Sequence, residues 1–234
     1  ITAENGSVEL GQHPVGTGPY KFVGESNNQL HFERFDDYFV GSKKMPEISK
    51  LVIHTLPEES SRIASLMTGD IDIVRSGSIS PDQAMSLGNR ARVEAAEILR
   101  FWFVQFDETA SSGEDFFTDI RVRQAVAHAI NKDEIIDILL SGYGRNIDTP
   151  CNPVQFGCDE AAAVAYEYNP EKAKELLAEA GYPNGFTVDI YGYRDEQVVQ
   201  AIQGYLEEVG IKTNLQWYGG QYDVVAQRLA AGEL

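Results

Sequence analysis

Along the chain the apolar positions alternate between a period of two and a period near 3.6, and each switch marks an element. QLHFERF (29–35) alternates like a strand, and so does ISKLVIHTL (48–56), with Leu51, Ile53 and Thr55 on one face and Val52, His54 and Leu56 on the other. EESSRIASLMTG (58–69) takes the helical period, with Ile63, Leu66 and Met67 on one stripe and Gly69 as its stop. IDIV (71–74) reads as a strand again. Strand, helix and strand on short links predict a βαβ unit, hence a parallel pair. EILRFWFVQF (97–106) reads as an aromatic-rich strand, followed by the helical segments 120–130, 132–141 and 170–180. The third of these has Asn169 placed to cap it, Pro170 at its first position and Gly181 beyond its end. The βαβ pattern then returns: FTVDIY (186–191), a helix over 195–209 ended by Gly210, and IKTNLQW (211–217). A final helix is expected over 221–231, with a further strand expected after it. The first 20 residues, rich in Gly and Pro, read as irregular chain.

One helix invites a chemical reading. TDIRVRQAVAHAIN (118–131) sets an aspartate, two arginines and a histidine close together. At 100° per residue, however, Val122, Ala125, Val126, Ala129 and Ile130 form one apolar stripe, and Arg121, Gln124 and His128 fall on the opposite side. Asp119 stands where a side chain caps the first amides. The segment is therefore expected to be a capped amphipathic helix rather than an active site.

Composition narrows the function further. Lys plus Arg number 19 against 36 Asp plus Glu, a formal net charge of −17, which opposes binding to nucleic acid or to anionic membrane surfaces. The four histidines, His13, His31, His54 and His128, show no metal-ligand spacing, so neither a metal nor a cofactor is expected. GTGPYKF (16–22) lacks the Lys-Ser/Thr of a phosphate loop and leads into a strand, and no Gly-x-Ser-x-Gly elbow exists. Asp70 and Asp72 share one face at a strand start, where solvation explains them better than acid–base work. The NGS at Asn5 fits a glycosylation sequon and carries little by itself. Cys151 and Cys158, in CNPVQFGC, can close as a disulfide across the turn made by Pro153 and Gly157, or stand as two free thiols; the first reading points to an oxidising compartment.

The polar stretch DETASSGEDF (107–116) is the candidate junction between two α/β units, 1–106 and 107–234. In parallel α/β sheets, ligands sit beyond the carboxyl ends of the strands. Those ends bring Arg75 and Ser76 from the first unit, and Tyr193, Arg194 and Trp217 from the second, with Trp102 near the end of 97–106. Arginines and aromatic rings at such a place suit a ligand with a carboxylate and apolar side groups. Each also has a plainer reading, the arginines as solvated or ion-paired surface groups and the tryptophans as core.

Six segments in fixed order complete the picture: PVGTGPYKFV (14–23), ERFDDYFVG (33–41), SRIASLMTGDIDIV (61–74), DIRVRQAVAHAINKDEII (119–136), YNPEKAKELLAEAGYPNGF (168–186) and YLEEVGIKTNLQ (205–216). Together, over nearly the whole chain, they resemble the extracytoplasmic solute-binding proteins of peptide-type ABC importers, the oligopeptide/dipeptide/nickel-binding family. That resemblance implies a two-lobed, periplasmic-binding-protein-like α/β fold that closes over a ligand about a hinge. Residues 1–106 would be the later part of the first lobe and 107–234 most of the ligand-closing lobe, with both ends of the family's pattern outside this chain. It implies a binding protein rather than an enzyme, a monomer, periplasmic or otherwise extracytoplasmic, that hands a peptide or similar solute to a membrane permease. The aspartate that holds a peptide's amino terminus in such proteins has no counterpart here. A hydrolase or a non-transport interaction domain on the same scaffold is the competing reading; the first would require a nucleophile–base pair, the second no ligand cleft.

Overall fold

Asn27 and Asn28 both adopt the left-handed conformation, with φ of 50° and 59°, which is what a two-residue hairpin turn needs. They join β1 (Tyr20–Ser26) to β2 (Gln29–Arg34), with Ser26 opposite Gln29. The register slips between Phe22 and Gly24, so Val23 has no partner across the pair and points out 58% exposed. β3 (Lys50–His54) adds to β2, again antiparallel, giving the order β1-β2-β3. These elements come from a computed structural model that describes residues 14–39, 41, 44–75, 79–96, 98, 99 and 101–233.

The chain divides into two compact units, Ile1–Ile79 and Ser80–Leu234. The smaller holds the three-stranded sheet and α1 (Glu59–Thr68). None of its described residues is buried. Leu51, Val52 and Ile53, which alternate between the two faces of β3, are 37%, 42% and 46% exposed, so neither face of that strand is covered within the unit.

The βαβ unit expected over 48–74 does not form. β3 pairs antiparallel with β2, and 71–74 joins no ladder. The reason lies at the end of α1. Gly69 turns left-handed at φ 80°, and the amides of Asp70 and Ile71 both donate to the Ser65 carbonyl. The amide of Ile71, the first residue of the expected strand, is thus satisfied by the helix rather than by a neighbouring strand. The strand expected over 97–106 is likewise not found among its described residues. A strand exists only with a partner, and among the described residues β4 and β5 pair only with each other.

The larger unit follows the sequence pattern more closely. After the short α2 (Pro81–Ser86, capped by Ser80) come α3 (Ile120–Ala129), α4 (Lys132–Leu139) and α5 (Pro170–Glu179). Asp119 accepts the Arg121 amide at 2.8 Å, Asn131 that of Glu134 at 3.1 Å and Asn169 that of Lys172 at 2.9 Å, so each of these helices starts on a side-chain cap. β4 (Phe186–Gly192), α6 (Glu196–Glu208) and β5 (Ile211–Trp217) then make the expected βαβ, with β4 and β5 parallel and Phe186 opposite Ile211. α7 (Tyr222–Ala230) closes the order. All five apolar positions expected on the stripe of α3 are buried, and they pack with Ile135, Ala173, Leu176, Leu177, Leu206, Val209 and Ile211 into one core. His128 stays at its margin, its Nδ1 2.7 Å from the Glu167 carbonyl and its ring edge-on to Tyr166.

Two glycines set the geometry of the parallel pair. Gly185 and Gly210 immediately precede β4 and β5, with φ of 71° and 94°. A Cβ on Gly185 would lie 1.8 Å from the Gly210 carbonyl oxygen, so the two backbones meet where no side chain fits. Gly69 has a similar φ of 80° but nothing within 4 Å. Gly69→Ala is therefore expected to cost about 1–2 kcal/mol of backbone strain, while Gly185→Ala costs more than about 3 kcal/mol because the strands must part. Thermal denaturation of the two variants checks the contrast, and equal losses would show that the glycine contact is not a constraint.

Candidate functional site

The parallel pair ends at Gly192 and Trp217, and the chain beyond each strand is held by the other. The Tyr218 amide donates to the Gly192 carbonyl at 2.8 Å, and the Gly220 amide to the Tyr193 carbonyl at 2.6 Å. This zipping continues the ladder past the last paired residues and fixes the two loops side by side. Gly192 is buried under the Trp217 ring: a Cβ there would meet Trp217 Cζ3 at 3.0 Å and Val199 Cγ2 at 3.1 Å. Trp217 thus covers the strand end and is partly buried.

Around these loops the aromatic rings gather. Tyr193 lies 5.4 Å from Tyr222, centroid to centroid, and the Arg194 guanidinium sits 5.9 Å from the Tyr193 ring. Tyr191 and Tyr218 stack at 6.4 Å and 27°. Arg228, from α7, approaches both, at 5.9 Å from the Tyr191 centroid and 5.8 Å from that of Tyr218. It also donates to the Tyr218 hydroxyl and pairs with Glu233 at 3.0 Å. Burial pushes the Tyr191 phenol above its ordinary value, and the Asp189 carboxylate adds to the shift. A ring-lined surface beside the Arg194 guanidinium can take apolar groups and an anion together, whereas Arg228 is already paired with Glu233.

The Trp102 indole joins this cluster. Its Nε1 donates to Asp195 Oδ2 at 2.6 Å, although the two residues are 93 apart in sequence. Asp195 stands immediately before α6 in the left-handed conformation at φ 54°, and its side chain makes no capping bond to that helix. Trp102 itself is 47% exposed, which excludes the plain core reading for it.

Of the six ligand residues expected from the sequence, Trp102, Tyr193, Arg194 and Trp217 lie in the unit Ser80–Leu234, with Asp195 and Gly192 linking them. Arg75 belongs to the other unit and is exposed. Ser76 lies outside the described residues. Sequence reasoning missed Asp195 and Arg228. An aspartate ahead of a helix reads as a cap, and an arginine in the last turn of a helix reads as a dipole partner, so neither pattern signals its neighbour. Cys151 and Cys158 are bonded, with Cα atoms 5.8 Å apart. An open cleft of about 490 Å³ lies elsewhere in the unit, beside α3, with Phe106, Arg123, Gln124 and Tyr166 on its wall. None of the expected ligand residues lines it, so volume and recognition chemistry point to different places; the converging rings and charges are the better guide, because an open cleft needs polar groups aimed into it to select a ligand.

With this geometry in view, the relationship to known proteins is direct. The chain belongs to the bacterial extracellular solute-binding proteins, family 5, whose model "Bacterial extracellular solute-binding proteins, family 5 Middle" matches residues 2–232. It is 31% identical to the glutathione-binding protein GsiB of Pectobacterium atrosepticum over 88% of this chain and 40% of that protein. It is 28% identical to the heme-binding protein A of Haemophilus influenzae over 96% of this chain and 41% of that protein. Among solved structures, the ABC transporter-associated periplasmic binding protein DppA from Helicobacter pylori, in complex with peptide STSA, matches with a TM-score of 0.72 and 27% identity, covering 97% of this chain and 45% of that one. The chain therefore has the mixed α/β fold of periplasmic binding proteins, and it spans about 40% of the length of these curated relatives.

The segment that leads from Trp102 toward α3 is pinned by a single carboxylate. Asp107 accepts from the amides of Ser112 and Ser111 at 2.8 and 3.1 Å, and from the hydroxyls of both serines and of Thr109. The Ser112 donors, amide first, hold its carboxyl well below the usual carboxylate range. Because the folded value is depressed, the stabilisation is complete above the unfolded value of about 3.9 and is lost as pH falls below it. Asp107→Asn is expected to lower the melting temperature at pH 6, and the gap from the parent should narrow on acidification to pH 3. A gap that stays constant between the two pH values would remove the carboxylate from this role.

Proposed function

We propose that the chain forms part of the ligand-capturing body of an ABC importer's solute-binding protein, and that its solute is a peptide or a peptide-like molecule bearing a carboxylate. The observation that supports this most is the gathering of Trp102, Tyr193, Arg194 and Trp217 at the carboxyl ends of β4 and β5 in a member of this family. Arg194 pairs with the solute's carboxylate, Tyr193 and the two tryptophans cover its apolar groups, and Arg75 and Ser76 contribute from the first lobe. The lobes are taken as 1–106 and 107–234. No bond is made or broken in the solute. A ligand that touches both lobes gains contacts only in the closed state, and it shifts the population toward closure by that difference. The closed, loaded protein works as a monomer outside the cytoplasm and is what the membrane permease receives. Relatives that bind glutathione and heme, and a structural neighbour with a bound tetrapeptide, agree with a solute of this size that combines charge with apolar surface.

The test is calorimetry on the full chain with glutathione, a set of dipeptides and heme, alongside dipeptides whose carboxyl terminus is amidated. A ligand at a hundred times its Kd is expected to raise stability by about 2.7 kcal/mol. Amidation and Arg194→Ala should each weaken binding by about ten- to a hundredfold, the worth of one hydrogen bond to a charged group. Equal affinity for free and amidated ligands, together with an unaffected Arg194→Ala variant, would remove the carboxylate from the proposal.

A further inference from the structure

Cys151 and Cys158 close an eight-residue loop whose side chains are turned the unexpected way round. Val154 is 60% exposed and Phe156 fully so, whereas Asn152 is 8% exposed, the one polar side chain in the buried class among the described residues. A loop folded to cover apolar surface would place Val154 and Phe156 inward. Within the loop, Asn152 Oδ1 accepts the Val154 amide at 3.2 Å, Gln155 Oε1 accepts the Asn152 amide at 3.0 Å, and the Gln155 and Cys158 amides return to the carbonyls of Asn152 and Gln155. These bonds, with the disulfide, make a self-contained ring. Two bonds tie it to residues outside: the Thr149 hydroxyl, next to the ring in sequence, donates to the Cys151 carbonyl at 2.6 Å, and Asn152 Nδ2 donates to the Ile98 carbonyl at 3.2 Å, across 54 residues. Ile98 stands four residues before Trp102, and neither residue joins a ladder.

We propose that Asn152 is a positioning residue for Trp102: the disulfide-closed ring holds its amide at the Ile98 carbonyl, which fixes the chain at Ile98, four residues ahead of the indole that meets Asp195 beyond the end of β4. Ring, segment and indole then act as one device, anchored at one end by Nδ2 and at the other by the 2.6 Å bond to Asp195. A buried amide that gives up its water for one carbonyl is costly to leave unpaired, so the ring has a single preferred seat. The disulfide takes part by keeping the ring closed. Reduction by a dithiol transfers two electrons and two protons to it: the S–S bond breaks, Cys151 and Cys158 become thiols, and the dithiol leaves as a cyclic disulfide. The inference rests on the reading of Trp102 as a ligand-facing residue only for its effect on affinity; the positioning itself is a property of the unliganded protein.

Asn152→Asp separates the two sets of bonds, since it keeps an acceptor for the Val154 amide and loses the donor to Ile98. In the full chain labelled with 5-fluorotryptophan, the two tryptophans give two fluorine resonances, assigned by Trp102→Phe. Asn152→Asp, and separately reduction of the parent protein with dithiothreitol, should shift and broaden the Trp102 resonance and leave that of Trp217 in place. A Trp102 resonance unmoved in the variant overturns the proposal. So does joint movement of both resonances, which means general loosening. If the variant does not fold, the reduced parent decides on the same two criteria. A parallel titration with glutathione separates this from the ligand reading: weaker binding by about tenfold joins the two, whereas a moved resonance with unchanged affinity leaves Asn152 as the positioner and takes Trp102 out of the ligand site.

Discussion

The close approach of α3 to α5 is the constraint on which the larger unit depends. Ala125, Ala129 and Ala173 are at most 1% exposed, and small side chains at those positions let the two helices meet with little between them. The contact is finished by polar bonds at its flanks. The Arg121 guanidinium donates to the Glu179 carbonyl at the end of α5, and the Asn169 amide donates to the His128 carbonyl at its start. Arg121 also chelates the Asp119 carboxylate, which caps α3. Arg121 here is an architectural group that satisfies a helix-end carbonyl, and His128 ties α3 to the chain just ahead of α5 through its ring contact with the Glu167 carbonyl. Leu177, at 1% exposed, and Ile211, fully buried, carry the same core into β5, so the parallel pair is positioned by the helices rather than by its own two-stranded ladder.

From that base the proposed ligand surface is assembled by loops that are bonded to each other. Tyr218 and Gly220 bond back to Gly192 and Tyr193, and the Trp217 ring fills the space that a side chain on Gly192 would need. Rigidity of this kind matters for binding, because side chains already held in place lose less freedom when a ligand arrives. Trp102 is the exception in its origin. Its described neighbours join no ladder, and its indole donates to Asp195 at 2.6 Å.

Much of the larger unit was legible in the sequence, and the reason is physical. Where an element buries one face, its period survives in the residues: Val122, Ala125, Val126, Ala129 and Ile130 announced α3, and alternation announced β4 and β5 with the helix between them. The failures share a cause. Periodicity reports that a stretch could be a strand, and pairing decides whether it is one. In IDIV the first amide, that of Ile71, is spent on the end of α1, and none of the described residues around Trp102 joins a ladder. Conversely β1 was hidden among glycines and prolines, though its turn residues Asn27 and Asn28 are the left-handed pair that a tight hairpin demands. In the candidate site, strand ends pointed to Tyr193, Arg194 and Trp217. Asp195 and Arg228 could not be read the same way, because their partners lie 93 and 10 residues away and no local pattern encodes either contact.

The glycine pair ahead of β4 and β5 has a consequence for how such a scaffold diverges. Gly185 and Gly210 lock the amino ends of the strands, while the ring-bearing loops leave from the carboxyl ends, seven residues further on. At about 3.3 Å per residue, the two ends stand roughly 20 Å apart. Substitutions in the ring-bearing loops and substitutions that would part the strands therefore fall on separate ground. That separation makes the scaffold evolvable: drift at one end of a short sheet can explore new chemistry while the other end preserves descent.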